Sequence, residues 1–248
     1  MHKLALGEYI MSRQKQHGFT MLELLLAVAV GSIVVMGSFA SYIIIARYHD
    51  RMENQSFLQI NGLPTINFII RDIRMAGNTL LDNTNFDPIL GDISTPIVID
   101  TDTAGSNWDE ITIYYDTKDP ITDVVTRNRV LYSIADSTAL PGATRQLMVR
   151  RDTTTTANPD DATDYTLGTA GVVTDYVDAF QIRVDDPANP QLINVVDITL
   201  VLRSPNPLKR SQGTYSRNTW HHFGNTNFTF TDNYLRQSFD TTVQLRNN

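Results

Sequence analysis

Glu23 is a charged residue at the edge of an apolar segment. It ends the stretch Gly18-Phe19-Thr20-Met21-Leu22-Glu23. It stands directly before Leu24 to Ala46, a run of 23 residues without a charge. An ionised carboxylate costs about 2.5–3.5 kcal/mol at the bilayer centre, and somewhat less near its edge. Such a group needs a cationic partner, and the neighbouring sequence supplies none. The chemistry that Glu23 offers is therefore charge pairing in an apolar environment.

The element that must position Glu23 is a helix long enough to cross a membrane. At about 1.5 Å per residue the uncharged run spans about 35 Å, and a hydrocarbon core is about 30 Å thick. The run is rich in Leu, Val, Ile and Ala and contains no proline. Because Lys3, Arg13 and Lys15 precede it, the positive-inside rule predicts a cytoplasmic N-terminus, with the bulk of the chain outside.

The residues at positions 18–23 resemble the processing site of type IV pilins and the related pseudopilins. The resemblance implies that a prepilin peptidase cuts between Gly18 and Phe19, so that residues 1–18 form a leader and Phe19 becomes an N-methylated terminus. It also implies that Glu23 meets the terminal amine of a neighbouring subunit. That pairing supplies the missing cation, since opposite charges in a low-dielectric bundle offset each other's desolvation. Translation from Met11 instead of Met1 would leave the mature protein unchanged.

Two other interpretations of the apolar run are a plain membrane anchor and a cleaved secretory signal. A plain anchor needs neither Glu23 nor the Gly18-Phe19 junction. A secretory signal would use Ser38-Phe39-Ala40 as its cleavage site. However, the core of such a signal tolerates a carboxylate poorly, and the apolar run continues beyond Ala40. Both interpretations leave Glu23 unexplained.

Composition predicts one acidic domain outside the membrane. The chain has 248 residues and a net charge of −7, with +2 on residues 1–18 and −1 on residues 19–46, which leaves −8 on the remainder. That length suits one domain besides the helix. A domain of that charge offers no broad basic field to nucleic acid. The chain has no cysteine and hence no disulfide framework.

The helix is expected to cover residues 19–77, with residues 19–46 in the membrane. Two pairs of small residues are spaced four positions apart, Ala27 with Gly31 and Gly37 with Ser41, and this spacing allows close helix packing in a bundle. Gly62 and Pro64 predict a kink or short break, because proline removes a hydrogen bond and crowds the preceding turn. An apolar stripe then follows at helical spacing, formed by Ile66, Ile69, Ile70 and Ile73. Gly77-Asn78 is a helix stop.

The helix end carries a second resemblance. Residues 71–77, Arg-Asp-Ile-Arg-Met-Ala-Gly, resemble the R-D-x-R-x-A-G stretch that ends the N-terminal helix of PilW-type minor pilins. They resemble more loosely the same helix of J-type minor pseudopilins of type II secretion. Arg71, Asp72 and Arg74 are expected to lie off the apolar stripe. An ordinary charged helix end would also account for these residues.

Residues 78–248 are predicted to form a β-rich headgroup, which makes the fold α+β. Period-two alternation and turn signals predict strands at Ile97–Asp100, Glu110–Asp116, Val130–Ile134, Gln146–Arg151, Ala179–Asp185, Val195–Arg203 and Phe239–Arg246. Such strands bury one face, which suits an antiparallel sheet laid on the helix stripe. The segments at 109–114, 195–204 and 241–247 resemble the early, late and final strands of the PilW-type headgroup.

Two segments, Asp152–Thr169 and Pro205–Asn233, are predicted to be long loops. The second is rich in aromatic residues, namely Tyr215, Trp220, Phe223, Phe228, Phe230 and Tyr234. If exposed, these side chains could contact a partner or surface ligand. The simpler interpretation is that they pin the loop to the sheet.

The sequence predicts no enzyme, no cofactor and no metal site. It contains none of the common hydrolase, nucleotide-binding or zinc-protease motifs. His221-His222 are adjacent, and adjacent side chains seldom converge on one metal. Asp100-x-Asp102-x-x-Gly105 begins like a calcium loop, but Ala104 and Ile111 stand where ligands are needed. Solvated turns are predicted for the other acidic groups, Asp160, Asp161, Asp164, Asp185 and Asp186.

Through the leader, the helix and the strand segments, both ends of the sequence resemble those of a minor type IV pilin of the PilW type, whereas the middle is less constrained. The resemblance implies a single-pass inner-membrane protein with a periplasmic headgroup, which joins major and minor pilins in a surface pilus. There it would prime or support assembly, with adhesion and motility as indirect outcomes. The alternative is a minor pseudopilin of a type II secretion system, which shares the N-terminus. A third possibility is a tethered binding module or enzyme that never assembles, for which Glu23 would be dispensable.

Overall fold

The computed structural model describes residues 19–101, 108–137, 144–157, 159, 164–208, 213–221 and 224–245. In these residues one long helix precedes ten strands, so the predicted α+β architecture is confirmed. Helix α1 comprises Met21–Met75. The chain separates into two compact units, the first ending at Tyr48 and the second starting at His49.

Between Leu24 and Ala46, α1 carries no charged residue on any side. It is long and apolar enough to cross a membrane, and no residue of its most apolar 18-residue window is buried. Its hydroxyl groups bond to the helix itself: Ser32 Oγ donates to Ala29 O at 2.7 Å and Ser38 Oγ donates to Val34 O at 2.9 Å. These polar groups are thereby satisfied without water, as a membrane requires.

The part of α1 in the second unit runs without a break through Pro64. Of the predicted kink or short break at Gly62 and Pro64, the break is therefore wrong, and the kink stays a prediction. Proline removes a single helical hydrogen bond, and nearby side chains add bonds to the backbone. Asn61 Nδ2 donates to Phe57 O at 2.8 Å, and Thr65 Oγ1 donates to Asn61 O at 2.7 Å. Core contacts before and after the proline hold the helix together.

The helix ends where the sequence predicts. Gly77 has φ 75°, a left-handed conformation that glycine adopts without strain. Asn78 N–H donates to Met75 O at 3.0 Å, and Gly77 N–H donates to Tyr114 O at 2.9 Å. The helix end is thereby tied to the neighbouring sheet.

The strands form three antiparallel sheets. The largest has the order β1-β2-β3-β4-β5, with bounds Ile97–Thr101, Asp109–Lys118, Val125–Asp136, Arg145–Thr154 and Gly171–Asp175. The second has the order β10-β7-β6, with bounds Tyr234–Gln244, Val195–Pro207 and Val177–Val184. The third is the hairpin of β8 (Gly213–His221) and β9 (Gly224–Asp232). A short 3-10 turn, Pro190–Leu192, precedes β7.

Each predicted strand coincides with or overlaps an observed one, whereas β5, β8 and β9 are additional. The loop predicted at Pro205–Asn233 is wrong, because that segment holds the end of β7 and the β8–β9 hairpin. Polar residues break the alternation in β8, so only its pairing with β9 reveals the strand. The segment Asp152–Thr169 begins inside β4, and Thr166 forms an isolated bridge with Thr153.

The main core lies between α1 and the two larger sheets. Ile66, Ile69 and Ile73 of the predicted stripe are buried. They belong to one cluster with side chains of β2, β3, β4, β6, β7 and β10, among them Ile111, Val130, Leu147, Ile182, Leu200 and Val243. Each such side chain contributes about 1.5–3 kcal/mol through burial. The predicted packing of a sheet on the helix stripe is confirmed.

Buried ion pairs fasten the connecting segments to this core. Arg127 Nε lies 2.8 Å from Asp116 Oδ1, and Arg127 Nη2 donates to Gly91 O at 2.5 Å. Asp152 lies 2.8 Å from Arg129 and accepts Gly168 N–H at 3.0 Å. Burial alone would raise the Asp152 pKa, but its bonds to Arg129 and Gly168 outweigh burial and lower that pKa.

Candidate functional site

The candidate site at the start of α1 is built on a reciprocal helix cap. Thr20 precedes the first helical residue, Met21. The backbone N–H of Glu23 donates to Thr20 Oγ1 at 3.3 Å, and the N–H of Thr20 donates to Glu23 Oε2 at 3.4 Å. This arrangement is a capping box, which satisfies two backbone donors that a helix start leaves unpaired.

Of the predicted site residues, the structure describes Phe19 and Glu23, whereas Gly18 lies outside the described residues. Phe19 is 86% exposed. The cap draws the Glu23 carboxylate to the backbone of Thr20, the residue next to Phe19. The carboxylate is therefore held one turn or less from the predicted mature terminus. It also lies near the positive end of the helix dipole, which stabilises an anion.

The capping role of Glu23 was not among the predictions from the sequence. The signal was present as Thr20-x-x-Glu23, the spacing of a capping box before an apolar run. The carboxylate thus has a partner within its own chain. That partner is the neutral backbone N–H of Thr20, so the cap leaves the charge of Glu23 without a counter-charge in the described part of the chain.

The surface that follows Glu23 offers room for close helix contacts. A Cβ atom added to Gly31 or Gly37 would meet no atom within 4 Å. Ser41 Oγ donates to Gly37 O at 3.0 Å, so the hydroxyl needs no partner from another helix. Small residues with satisfied polar groups let helix backbones approach each other in a bundle.

At the other end of α1, the position of Asp72 differs from the prediction. It was expected off the apolar stripe, yet it is 1% exposed. Its Oδ2 accepts the hydroxyl of Tyr132 and Nη2 of Arg151, each at 2.6 Å, whereas Arg71 lies 3.4 Å from Oδ1. Asp72 follows buried Ile69 by three residues and therefore shares its face of the helix. The predicted stripe does not include Asp72 because it was defined by apolar residues alone.

The Asp72 network joins the helix end to β3 and β4. Arg151 Nη1 donates to the hydroxyl of Tyr115 at 2.9 Å. Burial and the Asp72 charge raise the pKa of Tyr132 and that of Tyr115, so both phenols remain neutral donors or acceptors. Burial alone would lower the Arg151 pKa, but Asp72, together with Tyr115 and Tyr132, raises that pKa overall. The R-D-x-R stretch thus places a structural ion pair beside exposed arginines.

Metal ligation finds little support among the described residues. No group of three or more His, Asp or Glu side chains there is arranged to hold an ion. Asp186 accepts Asn189 N–H at 3.1 Å within a turn, and Asp185 accepts Asn194 N–H at 3.1 Å across the connection between β6 and β7. Asp102, Gly105 and His222 lie outside the described residues.

Two of the aromatic residues in the 205–233 segment pin it to a sheet, which is the simpler of the two interpretations of the sequence. Phe228 is 1% exposed and packs with Ala179 and Val201, and Phe230 packs against the same cluster. The Arg236 guanidinium lies 4.3 Å from the centre of the Phe230 ring. These side chains pin a hairpin rather than a loop to the three-stranded sheet.

Comparisons with known families match both parts of the chain. Residues 13–39 match the prokaryotic N-terminal methylation motif, and residues 115–247 match the family described as Type IV Pilus-assembly protein W. Comparisons with curated proteins and with solved structures found no match. The second family match covers more than half of the chain, and the apolar helix and methylation motif support membrane anchoring. The chain therefore belongs to the PilW family and has a type IV pilin-like role in pilus assembly.

Proposed function

We propose that this protein is a minor type IV pilin that helps to prime or support pilus assembly. The observation that carries the proposal is the first part of α1, which begins with Thr20-capped Glu23 and then carries no charged residue between Leu24 and Ala46. A helix that is hydrophobic all round needs a membrane or other helices around it. Once the subunit leaves the membrane, a bundle of pilin helices surrounds this part of α1 instead.

Processing is the first step of the proposed function. Prepilin peptidase cleaves between Gly18 and Phe19, and Phe19 becomes the methylated terminus. The methylation motif at residues 13–39 supports this step. Until assembly the subunit stays in the inner membrane as a single-pass protein, with its headgroup in the periplasm, since Lys3, Arg13 and Lys15 precede the apolar run.

Glu23 orients the subunit during assembly by pairing with the terminal amine of a neighbouring pilin. The cap supports this role because it holds the carboxylate near the helix start and leaves its charge without a counter-charge among the described residues. In a low-dielectric bundle the pair offsets the desolvation of both charges. Other major and minor pilins are the partners. The acidic headgroup makes direct nucleic-acid binding unfavourable.

The test is the N-terminal mass of the chain recovered from sheared surface filaments of native cells. A methylated Phe19 terminus in that fraction would support processing and incorporation together. The same terminus found only in membranes, with none in filaments, would favour the secretion pseudopilin. A terminus at Ser41 or at the initiator methionine would contradict the proposal.

The matched variant for this measurement is Gly18→Ala, with Ser12→Ala as the control. We expect Gly18→Ala to leave an unprocessed precursor in the membrane, because the peptidase must accommodate residue 18 next to the bond that it cuts, and alanine adds a methyl group there. Ser12→Ala changes a leader residue away from the junction and should be processed normally. Normal processing of Gly18→Ala would count against the assigned cleavage site.

A further inference from the structure

The end of the uncharged run in α1 places Arg47 at the boundary of a lipid bilayer. Leu24 to Ala46 carry no charge, and Arg47 is the first charged residue after them. At about 1.5 Å per residue the run is about 35 Å long, whereas a hydrocarbon core is about 30 Å thick. An upright helix centred in the core therefore projects about 2–3 Å beyond it at each end. That position lies in the interfacial layer that holds the lipid phosphates.

Arg47 has no partner for its charge in the part of the chain that the structure describes. The residue is exposed, and no hydrogen bond or ion pair formed there involves its side chain. The first compact unit ends at Tyr48 and contains one described carboxylate, Glu23, at the opposite end of the uncharged run. The next carboxylate, Asp50, forms an interaction that does not involve Arg47. A guanidinium at the edge of an apolar segment is stabilised by an anion, and this one has none within its own chain.

Aromatic residues mark the same end of the run. Tyr42 is 70% exposed and Tyr48 is 64% exposed. Ile44, one helical turn before Tyr48, is 52% exposed, so Tyr48 extends an apolar surface of the helix. Tyrosine is enriched where a helix leaves the hydrocarbon core, because its ring is apolar and its hydroxyl reaches the polar layer. Tyr48 therefore offers a hydroxyl donor next to Arg47 in the chain.

A phosphate is the anion that fits this pair of side chains. The arginine guanidinium is planar and offers parallel N–H groups to two phosphate oxygens, whereas a lysine offers only a point charge. Every phospholipid carries such a phosphate at the boundary where the run ends. The apolar helix and the methylation motif support membrane anchoring, and the membrane therefore supplies these phosphates at the level of Arg47.

We propose that Arg47, together with the Tyr48 hydroxyl, binds the phosphate group of a phospholipid at the end of the apolar run. The contact fixes the depth of this part of α1 in the bilayer, which burial of uniformly apolar residues does not define. The inference rests on membrane anchoring and not on incorporation into a pilus. It therefore stands or falls independently of the proposed function.

The first test measures lipid binding to the purified full-length chain in a non-ionic detergent by native mass spectrometry. The two probes are dioleoylphosphatidylglycerol and dioleoylglycerol, which have the same acyl chains and differ by the phosphate-containing head. We expect the phospholipid to bind at least about tenfold more tightly, through charge-assisted hydrogen bonds to the guanidinium. Equal affinities for the two lipids would show an apolar contact and overturn the inference. Full displacement of the phospholipid by inorganic phosphate at matched ionic strength would overturn it as well.

The variant for this measurement is Arg47→Gln, with Arg74→Gln as the matched control. Arg74 is exposed on the same helix, 27 residues further along the chain. We expect Arg47→Gln to weaken phospholipid binding about tenfold and to leave dioleoylglycerol binding unchanged. Arg47→Lys keeps the charge but not the fork, so its loss should be smaller. Wild-type phospholipid affinity in Arg47→Gln, or an equal loss in Arg74→Gln, would contradict the assignment.

The second test places the same chains in vesicles of dioleoylphosphatidylglycerol and dioleoylphosphatidylethanolamine. Rotational-echo NMR detects the proximity of carbon-13-labelled arginine Cζ atoms to lipid phosphorus. We expect part of the Cζ signal to be dephased by phosphorus in the wild-type chain and in Arg74→Gln, and that part to fall in Arg47→Gln. Equal dephasing in all three chains would overturn the inference. It would leave a carboxylate of another protein as the partner of Arg47.

Discussion

At the scale of single residues, Glu23 has one observed task, capping the helix, and one proposed task, pairing with a neighbouring subunit, and substitutions can separate them. Within its own chain it completes a capping box with Thr20. Between chains it is proposed to meet a terminal amine. The cap needs a hydrogen-bond acceptor at this position, whereas the pairing needs a negative charge. Glutamine keeps the acceptor and removes the charge.

We expect Glu23→Gln to remain inserted in the membrane but to be recovered from filaments about tenfold less than the wild-type chain or lower, since the amine of its neighbour loses its counter-charge. Thr20→Ala is the matched control. It removes the cap, which costs about 0.5–2 kcal/mol of helix stability, but keeps the charge and should still assemble. Immunoblots of sheared filaments and membranes measure both. Recovery of Glu23→Gln equal to that of the wild-type chain, together with a loss in Thr20→Ala, would assign Glu23 to capping alone.

Asp72 provides a second prediction at this scale. Asp72→Ala removes the acceptor of the Tyr132 hydroxyl and the partner of Arg151. Because the Arg151 side chain is 33% exposed, we expect a loss of about 2–4 kcal/mol, below the largest costs of breaking a fully buried pair. Urea unfolding of the detergent-solubilised chain, followed by tryptophan fluorescence, measures this loss.

Arg71→Ala is the control for the Asp72 variant. The Arg71 side chain is 60% exposed and lies 3.4 Å from Asp72. An exposed pair contributes about 0–1 kcal/mol, so this variant should unfold close to the wild-type chain. If both variants unfold alike, the buried network does not stabilise the helix end.

At the scale of elements, Gly62 determines how closely α1 approaches β10. A Cβ atom at Gly62 would lie 2.1 Å from the ring of Phe239. The glycine that predicted a helix break is therefore a contact point inside a continuous helix. Its lack of a side chain allows the helix and the strand to pack together.

We expect Gly62→Ala to destabilise the fold by about 1–2 kcal/mol. Overpacking costs about 1–3 kcal/mol, and the better helix propensity of alanine returns up to about 1 kcal/mol. Unfolding in urea measures the difference, with Gly171→Ala as control, since a Cβ atom there meets no atom within 4 Å. Adding Phe239→Leu to Gly62→Ala should recover part of the loss. A stabilised Gly62→Ala would mean that propensity dominates at this position.

At the scale of the whole molecule, the core belongs entirely to the second unit. No side chain before Asn54 is buried among the described residues. The first part of α1 therefore contributes anchoring and assembly surface, whereas the later part contributes the Ile66 stripe to the headgroup core. The stability of the headgroup should be separable from the membrane segment.

We expect a chain shortened to start at His49 to fold as a soluble protein with cooperative thermal unfolding, because it retains every described buried residue. A chain that starts at Asn78 is the control. It lacks the helix stripe, exposes the apolar sheet face and should aggregate. Circular dichroism and gel filtration measure both. An unfolded His49 chain would show that the headgroup needs the first unit for its stability.

Much of the element order could be predicted because its signals are local. The uncharged run predicted the membrane helix, the Ile66 stripe predicted the buried helix face, and Gly77 predicted the helix end. The hairpin at β8 and β9 could not be predicted in the same way. Its strands are recognisable by pairing with each other, and pairing is not a property of either segment alone.

The sequence by itself determined the apolar helix, the N-terminal methylation motif and most strands, since each depends on residues close together in the chain. The tertiary structure alone decided the burial of Asp72 and the contact of Gly62 with Phe239. Each of these depends on residues brought together from distant positions, as Asp72 and Arg151 are. The physical reason is that burial and pairing are set by the neighbours that folding supplies.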